Sequence, residues 1–187
     1  MDALDRRTKM FERMALACLL LLVAVTSLSA FLRHQALPAD AQSVVFAARL
    51  AHRIAASTAL LLVIAMVLQS LRITPPPHGA RALSLSLLAL ALGLALLGLV
   101  TSGARAPAVA MGNLLGGYLM LVLAARLVRP AAVGLGAAAF GVAALLWLQV
   151  ASGALLSTTQ AGRACSDLAE CGGLVRGVGW DWYALDP

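Results

Sequence analysis

Five long apolar stretches constrain this chain more than any other feature of it. They run from about Met14 to Leu32, Val44 to Leu71, Ala82 to Val100, Ala108 to Leu127 and Ala131 to Leu156. A helix needs roughly 20 mostly apolar residues to cross the hydrocarbon core of a bilayer. Inside that core every backbone polar group must be satisfied within the protein, which favours helices. Breakers separate the stretches: Pro38 with Asp40, the run Thr74-Pro75-Pro76-Pro77-His78-Gly79, Thr101-Ser102-Gly103 with Pro107, and Arg129-Pro130. The pattern predicts an all-α fold, a polytopic transmembrane helix bundle of about five spans, with the lipid bilayer as its surroundings. Only 12% of residues are charged and 61% are hydrophobic, against about 25% charged in soluble domains. The first stretch has a basic start, and Ser27-Leu28-Ser29-Ala30 loosely resembles a signal-peptide cleavage site. Its apolar core exceeds the roughly 7–15 residues of such a peptide, so it reads as a span.

The net charge of +6 marks loop ends rather than a nucleic-acid surface. Arg6, Arg7, Lys9, Arg13, Arg72, Arg81, Arg126 and Arg129 fall on one side of the bundle, and Arg33, Arg105, Arg163 and Arg176 on the other. The positive-inside rule places the first set in the cytoplasm. The N-terminus is then cytoplasmic and the C-terminal tail periplasmic, in a membrane expected to be the bacterial inner membrane. Cys165 and Cys171 lie in that outer tail, where a disulfide can persist. Two unlinked thiols are the alternative. Cys18, within the first span, reads as a small apolar filler.

Arg49 and Arg53 fall inside the second span, and ionisable groups there are costly. With His52 they stand at i, i+3 and i+4, on one side of a helix. A neutral imidazole can ligate haem iron from an apolar wall. Guanidinium groups one turn away can pair with haem propionates. The alternative is that the arginines reach outer headgroups and His52 hydrogen-bonds a neighbouring helix. Asn113 is the second buried polar residue to weigh, at a similar depth in the fourth span. Its amide is a poor iron ligand but can hold a water or substrate, or bond another helix. Gly112 and Gly116 beside it predict close helix packing, which the Gly-rich stretch Gly134, Gly136 and Gly141 also suits. His34 and His78 read as solvated; the alternative for His34, at the outer end of the first span and close to the depth of His52, is a ligand. Val25-Thr26-Ser27 with Gln35 is echoed by Val150-Ala151-Ser152 with Gln160. The echo fits a four-helix unit over residues 1–130 and the first helix of a second unit, with its cysteine-bearing tail, over 131–187.

These residues resemble the heme A synthase family of cytochrome c oxidase assembly proteins. Three segments carry the likeness: Arg49-Leu50-Ala51-His52-Arg53-Ile54-Ala55-Ala56; Leu97-Gly98-Leu99-Val100-Thr101-Ser102 through Asn113-Leu114-Leu115-Gly116-Gly117-Tyr118; and Leu148 through Gln160 followed by Ala164-Cys165-Ser166-Asp167. Together they span most of residues 45–180. The family has eight helices in two four-helix halves, one holding haem b and the other oxidising a methyl group of haem O to give haem A. The resemblance implies that His52 is a haem ligand, that Arg53 belongs to the same motif, and that Cys165 and Cys171 pair in an outer loop. This chain departs from the pattern in three places. Arg49 stands where the family usually has glutamate, and Asn113 stands where it has histidine. The sequence also ends at Pro187, after the fifth span, so a second half is expected to lie outside it.

Three functions compete at this level. One is a heme A synthase-type oxidoreductase, completed by the second half, by other membrane chains or by a homo-oligomer. Another is a non-catalytic haem-binding or electron-transfer membrane protein. The third is a structural membrane protein without cofactor. No hydrolase triad, Walker loop or dinucleotide fingerprint is present, and the glycines lie inside apolar helices.

Overall fold

The computed structural model describes residues 3–33, 42–74, 79–100, 107–128 and 137–159. Five helices account for nearly all of them: α1 Ala3–Arg33, α2 Gln42–Arg72, α3 Ala80–Val100, α4 Pro107–Val128 and α5 Ala137–Thr159. The first four are long and apolar enough to cross a membrane. In α5 the apolar run Phe140–Leu155 is shorter, and the expected start of that span, 131–136, lies outside the described residues. This is the helical membrane bundle that the apolar stretches predict.

Helix ends follow the local chemistry. Pro107 opens α4 at the position where its missing N–H costs nothing. α2 stops at Arg72, shortly before Thr74-Pro75, because a residue preceding proline is pushed out of the helical region. Gly79 enters α3 with φ of 73°, a left-handed conformation that other residues rarely adopt. Its carbonyl accepts the first backbone bond of α3, from Leu83 N at 2.9 Å. α1 begins about three turns before the apolar span does. Its polar first turns hold good helix formers, and Lys9 Nζ meets Asp5 Oδ2 at 3.0 Å across one turn.

The chain forms two compact units, Met1–Gly93 with Gly117–Val133, and Leu94–Gly116 with Gly134–Pro187. In the first, α1 and α2 are extensively paired. Phe11, Ala15, Cys18 and Leu22 form the buried stripe of α1; Ala59, Val63, Met66 and Ser70 continue it on α2. Leu87, Met120, Ala124 and Leu127 complete the core. Lipid is as apolar as leucine, so contact rather than water exclusion holds such helices together. Small residues at Ala15, Cys18 and Ala59 serve that purpose. Cys18 is fully buried, in keeping with its role as a filler. Burial thins toward the other end of both helices. α1 has no buried residue beyond Leu22, and α2 has only Ala48 before Ala59.

In the second unit the Gly112/Gly116 pair packs as expected. A Cβ added at Gly116 would come within 2.6 Å of Leu94 Cδ2, and one at Gly112 within 3.7 Å of Leu97 Cδ2. At Gly141 no atom of the described residues lies within 4 Å of an added Cβ; Gly134 and Gly136 lie outside the described residues.

Candidate cofactor site around His52

His52 stands ten residues into α2, about 15 Å along the helix at 1.5 Å per residue. It continues the α1-facing stripe of that helix, in register with Ala48, Ala59 and Ser70, and is half-buried. Its Nδ1 lies 3.2 Å from the carbonyl oxygen of Val25 on α1. A carbonyl only accepts, so Nδ1 carries the proton in this bond. In the neutral ring Nε2 then presents a bare lone pair, the tautomer that a metal-ligating histidine needs.

Arg49 and Arg53 are both exposed, on the flank of the helix rather than on the stripe that meets α1. At 100° per residue they fall on the same side of His52, because 49 and 52 are three apart and 53 follows directly. Among the described residues no carboxylate forms an ion pair with either. The arrangement offers one half-buried imidazole bonded to α1 and two exposed cations on the flank, without a carboxylate partner among the described residues. It suits a ligand that is apolar at its centre and anionic at its rim.

Next to Val25, Thr26 turns its hydroxyl onto Leu22 O and Val23 O of its own helix, each at 2.9 Å. Its methyl group faces α4, where a Cβ at Gly117 would stand 3.3 Å from Thr26 Cγ2. The Val25–Thr26 step of α1 therefore meets both α2 and α4. Nothing in the sequence marked Val25 as a partner, since its contribution is a main-chain oxygen.

The other residues singled out in the sequence fall elsewhere in the description. Asn113, half-buried near the start of α4, belongs to the second unit. His34, His78, Cys165 and Cys171 lie outside the described residues. Among the described residues no three His, Cys, Asp or Glu side chains gather as a metal-holding group. A single imidazole such as His52 could serve as a protein ligand to a metal held by a macrocycle.

Neither the family models, the curated proteins nor the solved structures contain a match to this chain.

Proposed function

We propose that this chain is a haem-binding membrane protein of the heme A synthase type. In this reading His52 Nε2 would ligate the haem iron, and Arg49 and Arg53 would hold the propionates. The observation that carries it is the bond from His52 Nδ1 to Val25 O. It orients the ring and its tautomer so that Nε2 carries the lone pair, with two arginines on the flank that have no carboxylate partner among the described residues. The thinner burial of α1 and α2 at this level supports the reading too.

Bound haem would supply the redox chemistry, and the protein the binding, orientation and electrostatics. The chain's own residues then act in simple ways. Val25 aims the imidazole, the apolar faces of α1 and α2 exclude water, and the two arginines neutralise carboxylates. Oxidation of haem O to haem A is proposed for an assembly in which a complete second half joins the unit that carries His52. The proposed setting is the bacterial inner membrane, with the N-terminus in the cytoplasm and Cys165 and Cys171 paired on the periplasmic side.

The same hydrogen bond also favours a second reading, in which His52 simply ties α2 to α1. Arg49 and Asn113, at positions where the family has glutamate and histidine, lean toward haem handling without catalysis. Purification in detergent after growth with ample haem, followed by visible spectra with and without dithionite, separates these. A Soret band that disappears in His52→Ala supports the haem reading. A flat spectrum from the folded wild-type protein removes it. Conversion of added haem O, followed by pigment extraction, distinguishes synthase from carrier.

A further inference from the structure

The arginine-rich end of α2 combines two features that the haem reading does not use. The first is a convergence of guanidinium groups. Arg7 Nη1, from α1, donates to Arg72 O at 3.3 Å. Arg81, from the first turn of α3, donates from Nε to Ser70 O at 3.2 Å and from Nη2 to Ile73 O at 3.4 Å. Both thereby cap carbonyls that a helix end leaves without partners. Arg72 itself adds a third, exposed guanidinium at the same turn. A helix C-terminus carries only about half a negative charge, and among the described residues no carboxylate pairs with any of the three. Most of their positive charge is left uncompensated.

The second feature lies one turn deeper. Gln69 and Ser84 are buried, and Gln69 Nε2 and Ser84 Oγ have no hydrogen-bond partner among the described residues. Gln69 adjoins Ser70, whose carbonyl Arg81 takes, and Ser84 stands three residues beyond Arg81 on the same side of α3. The hydroxyl of Ser70 is already spent on Val67 O at 2.8 Å. An unpaired buried donor is costly, and here the unpaired atoms are an amide N–H group and a hydroxyl that can donate. Guanidinium groups and neutral donors, with no carboxylate paired to them among the described residues, call for a ligand made of acceptor oxygens.

We propose that Arg7, Arg72 and Arg81 form a seat for a phosphate group, with Gln69 and Ser84 supporting it from below, directly or through water. Helix ends lie at the level of lipid headgroups, so the phosphate of an anionic lipid is one source and free inorganic phosphate the other. Guanidinium groups match phosphate oxygens in a two-pronged geometry that a single point charge does not offer.

Native mass spectrometry of the detergent-purified protein tests this, with phosphatidylglycerol, phosphatidylcholine or inorganic phosphate added separately. The expected result is preferential retention of phosphatidylglycerol, reduced about fivefold for each arginine lost. Arg72→Gln is the first variant, because its side chain makes no hydrogen bond among the described residues and both capping arginines remain. Arg72→Gln/Arg81→Gln follows, with helical content checked by circular dichroism, and Gln69→Met tests the buried amide with a smaller expected loss. If inorganic phosphate binds the wild type and displaces the lipid, and binding fails in Arg72→Gln, the seat stands with a soluble ligand. Equal retention of the two lipids with no phosphate binding overturns the proposal. So does unchanged phosphatidylglycerol retention in the folded double variant.

Discussion

The imidazole of His52 is bonded to the carbonyl oxygen of Val25, with 3.2 Å between Nδ1 and O. One contact thus joins a polar side chain of α2 to the main chain of α1 across 27 residues of sequence. It can hold two helices together, set up a metal ligand, or do both. The two roles separate in the right variants. Gln at position 52 keeps an N–H donor but is a poor iron ligand, whereas Ala removes both. An interhelical hydrogen bond in a membrane is worth about 0.6–2 kcal/mol. His52→Gln is expected to unfold at a temperature close to wild type, with His52→Ala somewhat lower, and both to be colourless. Thermal circular dichroism alongside visible spectra checks this pair.

Close packing at Gly116 gives a second prediction. A Cβ there would overlap the end of the Leu94 side chain. Alanine is expected to be tolerated in part, because a leucine methyl can shift. Valine is expected to cost about 1–3 kcal/mol by overpacking. Shortening the neighbour in Gly116→Val/Leu94→Ala is expected to recover much of that loss, as directly contacting sites couple. Equal melting temperatures for Gly116→Val and the double variant would show that the contact does not matter.

Gly79 gives a third. Its φ of 73° costs a residue with a Cβ about 1–2 kcal/mol. Gly79→Ala is expected to lower the melting temperature, and Gly79→Asn to lower it less, since asparagine tolerates this region best after glycine. A melting temperature unchanged in Gly79→Ala contradicts it.

Orientation can be read by labelling. Ser43 and Thr74 are exposed near opposite ends of α2. In a chain with Cys165 and Cys171 changed to serine, a cysteine at Ser43 is expected to react with an impermeant maleimide added outside intact cells. One at Thr74 is expected to react only after lysis. The reverse pattern would invert the topology. Cys18, fully buried, is expected to stay unlabelled.

The sequence made the helices legible because lipid demands long apolar runs and because proline and glycine interrupt them. It also exposed Gly112 and Gly116 through their spacing, and Arg49, His52 and Arg53 through the rarity of charge in a span. Other contacts left no trace. Val25 acts through a carbonyl that every residue has. Arg7 and Arg81 reach the end of α2 from 65 and 11 residues away, and sequence spacing says nothing about tertiary capping. The helical start of α1 at Ala3 was hidden because the apolar criterion stops where charge begins, while helix propensity does not. The spacing that groups Arg49 with His52 also concealed a difference: the imidazole turns to α1, and the guanidinium groups flank it in the open.

Iron held by the second ring nitrogen of His52 is the proposed feature on which the others depend. The most direct measurement is haem content per chain, by pyridine haemochrome assay, for wild type and His52→Gln purified side by side from haem-replete cells. The account predicts a definite haem stoichiometry in the wild type and a near-complete loss in an equally folded variant. Haem retained undiminished by His52→Gln, or absent from both proteins, would contradict it.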